Sequence, residues 1–172
     1  MYDHAQANML RRLVRRAATS WLVSRLSVGV LHRIDRGAYR FSRRKTTFST
    51  WASGLPVVML TTTGARTGQS RTTPVLGVPY GNGFVLIASN FGRRRHPAWY
   101  HNLRMHPRIM LTVDGVSREF EAYELSGKER EQRFEAAVRM NPGLLNYRSW
   151  AGDRQIPVVG LDPIASAPES WQ

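Results

Sequence analysis

A chain of 172 residues, of which 42% are hydrophobic, is long enough to bury one sizeable core without support from metals or disulfides. The absence of cysteine excludes disulfides, thiolate catalysis and cysteine-ligated metal or iron–sulfur sites, and it is compatible with a reducing cytoplasm. The formal net charge of +13 is uneven, because residues 1–45 carry 11 basic and 2 acidic side chains whereas residues 46–172 carry 14 and 10.

The first 50 residues are predicted to form a basic, amphipathic helical segment that precedes the folded domain. Within Met9–Leu26, apolar side chains recur at helical spacing and four arginines occupy the opposite face. A cationic helix with a tryptophan on its apolar side is typical of helices that lie in a membrane interface. The same pattern also fits a helix that packs on the domain and solvates its arginines, and both interpretations stay open.

The sequence predicts a protein that is neither secreted nor membrane-spanning. No run approaches the roughly 20 apolar residues of a membrane span, and the N-terminus lacks the apolar core and cleavage site of a secretory signal. We therefore expect a cytoplasmic protein, with peripheral contact at the inner face of the cell membrane through residues 9–26 if that helix binds lipid.

Residues 51–165 are predicted to form one β-rich domain, followed by a short tail at residues 166–172. Apolar runs bounded by turn residues predict strands over Pro56–Thr63, Arg71–Tyr80, Phe84–Ser89, Arg108–Val113, Val116–Glu124 and Pro157–Leu161. Hairpin turns are predicted at Gly81-Asn82-Gly83 and Asp114-Gly115. Pro74 and Pro79 place the second strand at an edge or a bulge.

Helices are predicted between some of these strands. Pro97–His106 begins with a proline and ends before another, Ser126–Met140 begins with a capping box, and Asn141–Gly152 is an aromatic loop or short helix. Hairpins with few helices favour a mainly β (α+β) fold, an antiparallel barrel that is closed or partly closed. A doubly wound parallel sheet is disfavoured, since strands and helices do not alternate regularly.

The stretch Thr61–Pro74, TTTGARTGQSRTTP, combines flexible backbone, hydroxyl groups and positive charge between two predicted strands. Arg66 lies between the two glycines and Arg71 follows them. Guanidinium groups bind phosphate and carboxylate through paired hydrogen bonds. The corner therefore has the materials of an anion-binding site, although a solvated basic turn is the alternative.

A second basic loop is predicted at the same end of the antiparallel meander. Ser89 ends the third predicted strand, Arg93, Arg94 and Arg95 follow it, and Trp99 and Tyr100 come close behind. Two converging basic loops beside aromatic residues predict a binding site for an aromatic ligand with an anionic tail.

Other kinds of site are disfavoured by the sequence. His96, His101 and His106 are spaced by five, which turns successive side chains about 140° apart on a helix, so a metal site is not expected. Nucleic acid could accept the positive charge, but no recognition-helix, zinc-finger or RNA-recognition signature accompanies it.

The order of the motifs resembles the deazaflavin-dependent nitroreductase family. The resemblance is carried by TTTGARTGQSRTTPVLGVPYGNGFVLIASNFG, then HPAWYHNL and HPRIMLTVDG, then MNPGLLNYRSWAGDRQIPVVGLDP, and it covers about Leu55–Pro163. Members are small split β-barrel oxidoreductases, related to flavin-mononucleotide-binding barrels, that use coenzyme F420 (8-hydroxy-5-deazaflavin). The basic N-terminus is also similar to that of members associated with the membrane.

The resemblance implies a set of site residues. The cofactor's phosphate and oligoglutamate tail would lie against Arg66, Thr67, Gly68 and Arg71, with Arg94 and Arg95 as further tail contacts. Ser89 matches a serine near the deazaflavin ring, Asn90 replaces a lysine common at the next position, and Trp99 and Tyr100 lie on a helix beside the site.

The resemblance also implies the reaction, a hydride transfer from reduced F420 to an electrophilic acceptor. Ser89 and Tyr147 are the expected donors to the developing negative charge. Where the best-known nitroreductases have two further tyrosines, this chain has Asn141 and Leu144, which favours a hydrophobic acceptor such as a quinone over a nitro compound. The alternative is a non-catalytic binder or carrier of a flavin-like molecule, haem or a lipid.

Overall fold

The computed structural model describes residues 56–164. Its strands are β1 (Val57–Thr63), β2 (Ser70–Tyr80), β3 (Gly83–Ile87), β4 (Arg108–Val113), β5 (Val116–Glu124) and β6 (Val158–Pro163). Its α-helices are α1 (Ala98–Met105), α2 (Gly127–Met140) and α3 (Gly143–Trp150). These bounds confirm every strand and helix predicted in this part of the chain to within three residues at either end.

The six strands form a closed antiparallel barrel in the order β1-β2-β3-β6-β5-β4, with β4 returning to β1. Because all neighbouring pairs are antiparallel, Thr63, Ser70, Ile87, Arg108 and Glu124 share one end of the barrel, which we call the upper rim. Both hairpin turns lie at the opposite rim. The prediction of an antiparallel barrel is confirmed, and so is the prediction that the two basic loops share one end.

Side chains alternate between two cores, as the period-2 geometry of strands requires. Along β3, Phe84 and Leu86 point into the barrel, whereas Val85 and Ile87 point outward. The inner core also includes Trp99 and Leu103 of α1, so this helix closes the upper end of the barrel. The outer core lies between the barrel wall and the helices α2 and α3.

Strand β2 changes partner along its length, which explains its two prolines. Its first part, Ser70–Leu76, pairs with β1, and its second part, Gly77–Tyr80, pairs with β3. Pro74 and Pro79 each lie where β2 has one paired neighbour in the register, so a missing N–H is tolerated on the other side. The prediction that these prolines lie where β2 lacks a neighbour on one side is therefore confirmed, although the barrel as a whole is closed.

The predicted capping box at Ser126 does not form. Helix α2 begins at Gly127, which has a φ of +55°, and the side chain of Ser126 makes no capping hydrogen bond. A capping box needs the cap residue to lead directly into right-handed helical geometry. The left-handed Gly127 interrupts this geometry directly after Ser126.

Several predictions fall on residues that the structure does not describe. The amphipathic helix at residues 9–26, the domain boundary at residue 51 and the tail at residues 166–172 lie outside the described range. Between residues 56 and 164, no helix has both the length and the apolar character needed to cross a membrane.

Candidate cofactor site at the upper rim

The glycine corner, residues 64–69, joins β1 to β2 at the upper rim. The N–H of Gly64 donates to the carbonyl of Gln69 (2.9 Å), and the N–H of Gly68 donates to the carbonyl of Gly64 (2.8 Å). Gly68 has a φ of +64°, a conformation that side chains other than glycine rarely adopt. The corner is therefore a tight, internally bonded turn.

The outer side of this corner offers donors and positive charge to solvent. The peptide N–H groups of Arg66 and Thr67 have no hydrogen-bond partner within residues 56–164, and both residues are exposed. The Nε of Arg71 lies 3.4 Å from the position that a Cβ on Gly64 would take, so its side chain covers the turn. Free peptide donors beside guanidinium groups suit a phosphate or carboxylate group.

Asn102, which the sequence analysis did not select, fixes the corner to helix α1. Its Oδ1 accepts the N–H of Ala65 (3.0 Å), and its Nδ2 donates to the Oγ1 of Thr62 (2.9 Å). Asn102 is 7% exposed, so these bonds satisfy a polar group that would be costly to bury alone. The corner is therefore held in one orientation relative to α1.

The loop after β3 has an unusual backbone directly after Ser89. Asn90, Phe91 and Gly92 have φ values of 47°, 56° and 71°. A left-handed conformation costs about 1–2 kcal/mol for a residue with a Cβ, and it is least compatible with a bulky side chain such as Phe91. The side chain of Asn90 is bonded to the carbonyl of Arg95 (2.8 Å), so the predicted cofactor contact Asn90 has a structural partner.

Arg154 holds this loop from the segment between α3 and β6. Its guanidinium donates to the carbonyls of Ser89 (2.7 Å) and Arg93 (2.9 Å), and it also contacts the Nδ1 of His96 (3.1 Å). Partial burial lowers the pKa of Arg154. The sequence does not single out Arg154, because a single arginine before a strand carries no pattern that identifies its partners.

The two predicted catalytic donors lie on elements that touch each other. Ser89 is half-buried, and Tyr147 is 6% exposed in the outer core, where its ring meets those of Phe91 and Trp150 at 5.7 Å between centroids. Among the described residues, neither side-chain hydroxyl has a hydrogen-bond partner. Burial raises the pKa of Tyr147 to about 12, so its hydroxyl stays protonated at neutral pH.

The remaining predicted contacts divide into exposed and buried groups. Arg94 and Arg95 are exposed on the loop that begins at Ser89, where a charged ligand could reach them. Trp99 and Tyr100 are 8% and 4% exposed in the inner core, which gives them a packing role beneath the site. The hydroxyl of Tyr100 is bonded to the Oε2 of Glu124 (2.7 Å); burial and this bond raise the pKa of Tyr100.

Comparison with known proteins gives these features a context. The profile of the F420H(2)-dependent quinone reductase family matches residues 31–163. An F420H(2)-dependent quinone reductase of Mycobacterium tuberculosis, Rv1261c, is 41% identical over 58 residues, which is 34% of this chain and 39% of that protein. Rv3178 from the same organism is 27% identical over 109 residues, covering 63% of this chain and 91% of the relative. The chain thus aligns with less than half the length of the first relative.

Solved structures share the barrel. The structure of an F420-H2-dependent reductase (FDR-A) superposes with a TM-score of 0.58 at 33% identity, covering 62% of this chain and 94% of the other. HutZ, a haem storage protein from Vibrio cholerae, superposes with a TM-score of 0.51 at 9% identity, covering 77% and 92%, which is a likeness of fold alone. Since the family profile covers well over half of the chain, the resemblance inferred from the motifs is confirmed, and this protein belongs to the F420H(2)-dependent quinone reductase family.

Proposed function

We propose that this protein is an oxidoreductase that uses reduced coenzyme F420 to reduce a hydrophobic, quinone-like acceptor. The observation that carries the proposal is an exposed cationic corner at the upper rim, together with the hydroxyl groups of Ser89 and Tyr147, which have no hydrogen-bond partner among residues 56–164. A ligand with an anionic tail and a polar ring would satisfy both sets of groups. Family membership supports coenzyme F420 as that ligand.

The glycine corner would hold the anionic tail. The peptide N–H groups of Arg66 and Thr67 and the guanidinium groups of Arg66 and Arg71 can each donate to phosphate or carboxylate oxygens. Because Asn102 bonds the corner to α1, the peptide donors are in place before a ligand arrives, and less ordering entropy is lost on binding.

Ser89 and Tyr147 would act at the ring and the acceptor. Coenzyme F420 supplies the hydride when it is bound in its reduced form. A buried phenol with a raised pKa remains a donor at neutral pH, and it can stabilise negative charge that develops on an acceptor oxygen. The half-buried Ser89 offers a second hydroxyl from a loop whose backbone is already fixed.

The neighbourhood of Tyr147 favours an apolar acceptor. Leu144 is 2% exposed in the outer core, and the Oδ1 of Asn141 accepts the N–H of Gly143 (3.2 Å) at the start of α3. Leu144 therefore presents no polar group beside Tyr147, and the side-chain oxygen of Asn141 is already bonded within the turn. Leu145, which is 53% exposed on the same helix, adds apolar surface. A quinone suits these surroundings better than a nitro compound.

The proposal is tested by adding reduced F420 and a short-chain quinone to the full chain and following F420 oxidation by absorbance, with a nitroaromatic compound in parallel. We expect binding of both F420 oxidation states and oxidation that depends on the quinone. Binding without oxidation would indicate a carrier, and no binding at all would contradict the proposal.

Replacing Arg66 by glutamine is expected to weaken F420 binding by about tenfold or more, because a hydrogen bond to a charged group contributes about 1.5–3 kcal/mol. The loss should be largest at low ionic strength, where screening is weakest. Arg118→Gln is the matched control, since Arg118 is an exposed arginine of β5 that lies toward the opposite rim of the barrel. Equal losses in the two variants would mean that only net charge matters.

We also propose that residues 9–26 bring the protein to the inner face of the cell membrane, where a lipid-soluble quinone would be available. The cationic amphipathic pattern supports this contact. Replacing Arg11, Arg12, Arg15 and Arg16 by glutamine in the full chain is expected to weaken co-sedimentation with anionic vesicles, by about 1 kcal/mol per arginine. Equal sedimentation of both proteins would favour a helix that packs on the domain.

A further inference from the structure

The side chain of Arg154 makes an unusual number of contacts with one distant loop. It donates to the backbone carbonyls of Ser89 (2.7 Å), Arg93 (2.9 Å) and, more weakly, Ala88 (3.4 Å). Its Nη1 also lies 3.1 Å from the Nδ1 of His96. We call this set of contacts the Arg154 clamp.

The clamped loop cannot be expected to keep its shape by itself. It contains the consecutive left-handed residues Asn90, Phe91 and Gly92, and such conformations persist where the surroundings determine them. Two local bonds help, from the N–H of Gly92 to the carbonyl of Ser89 and from the N–H of Arg93 to the carbonyl of Asn90. The Arg154 clamp adds contacts at both ends of the left-handed run.

We propose that Arg154 is a positioning residue, which fixes this loop so that the Ser89 hydroxyl and the cations of Arg94 and Arg95 act together on one bound ligand. The inference rests on the proposed function, because it assigns the loop to the F420 site. The planar fork of arginine suits the task, since its donors diverge in one plane and meet several carbonyls at once. A lysine would reach fewer of them.

His96 makes the clamp sensitive to pH. Its Nδ1 can accept a hydrogen bond from the guanidinium when that nitrogen is unprotonated. The groups that face His96 are Tyr100, His101 and Arg104 on α1, Glu124 at the end of β5, and Arg154. Burial, followed by the charge of Arg154, lowers the pKa of His96 from its ordinary value of 6.5. The clamp is therefore complete above pH 6.5 and weakens as the pH falls through the lowered value.

Hydrogen exchange on the full chain without ligand tests the clamp independently of activity. For Arg154→Gln we expect exchange at residues 88–96 to be faster by at least about tenfold, with the strand amides little changed. Arg154→Lys should restore part of the protection, and it serves if the glutamine variant fails to fold. The control is Arg148→Gln, an exposed arginine of α3 paired with Glu131. Unchanged exchange, or equal acceleration in every strand, would overturn the proposal.

Kinetics and pH complete the test. We expect Arg154→Gln to lower kcat and to weaken F420 binding together, since one loop carries both functions. Free guanidinium should restore part of both.

The His96→Asn variant tests the pH dependence, because asparagine is an acceptor that cannot be protonated. It should remove the loss of loop protection below pH 6.5 once intrinsic exchange rates are taken into account. If the wild-type pH dependence persists in this variant, His96 has no part in the clamp. If the wild-type protein binds no F420, the proposed function fails, and faster exchange in Arg154→Gln would still establish the clamp.

Discussion

Replacing Tyr147 by phenylalanine is expected to slow quinone reduction by about 100- to 1000-fold and to leave F420 affinity nearly unchanged. The estimate is the usual cost of removing one donor aimed at developing negative charge, about 2.7–4 kcal/mol. The fold should tolerate the change, because the hydroxyl of Tyr147 has no protein partner within residues 56–164 and its ring packing is kept. The measurement is kcat with saturating quinone, alongside the dissociation constant for F420.

Two comparisons separate this chemical role from packing. Tyr80→Phe removes a phenol that is 49% exposed at the opposite rim, and it should leave turnover unchanged. Equal losses of turnover and F420 affinity in Tyr147→Phe would instead indicate a packing role.

Alkaline unfolding gives a second, independent reading of Tyr147. Its pKa is about 12 in the folded protein and 10 ordinarily, so between these values the unfolded chain loses the proton while the folded chain keeps it. Stability therefore falls as the pH rises through this window, by about 2.7 kcal/mol at most. The phenylalanine variant should lack this part of the loss.

The barrel could be predicted from the sequence because its signals are local. The turn residues at Gly81-Asn82 and Asp114-Gly115, with apolar runs on either side, place four strands and their pairing directly. Strand β6 was found from an apolar run alone. Pro74 and Pro79 indicate positions where β2 lacks a hydrogen-bonded neighbour on one side. The point at which β2 changes from β1 to β3 follows only from the strand register of the closed barrel.

The prediction of a capping box at Ser126 was wrong, because the spacing of residue types does not indicate the backbone conformation that follows the cap residue. The Ser-Gly-Lys-Glu pattern has the composition of a capping box, but it says nothing about the φ of Gly127. Glycine is the residue for which a positive φ has little cost, so the motif is least reliable when glycine follows the cap residue.

The candidate site was predicted in part. The cations and the hydroxyl groups could be found, since residue types at turns carry that information and antiparallel topology brings the turns together. Asn102 and Arg154 could not, because they act on backbone groups of segments far away in the chain. Trp99 and Tyr100 are predicted to lie beside the site, but their burial in the inner core follows only from the closed barrel.

Replacing Gly92 by alanine is expected to separate the Ser89 loop from helix α3. Gly92 has a φ of +71°, and a Cβ there would lie 2.7 Å from the Cβ of Trp150 and 2.9 Å from the carbonyl oxygen of Tyr147. The left-handed conformation costs about 1–2 kcal/mol and the overpacking against a helix about 1–3 kcal/mol more. Since the loop carries Ser89 and α3 carries Tyr147, we expect loss of turnover together with a loss of stability of about 2–5 kcal/mol.

Gly81→Ala is the matched control for this prediction. Gly81 has a φ of +54° at the opposite rim, and a Cβ there would meet nothing within 4 Å. It should therefore lose only the conformational part, about 1–2 kcal/mol in urea unfolding, and keep full turnover. The prediction would be contradicted if Gly92→Ala were as stable as Gly81→Ala and reduced quinone normally. In that case, the position of the Ser89 and Tyr147 hydroxyl groups would not depend on close packing of the Ser89 loop against α3.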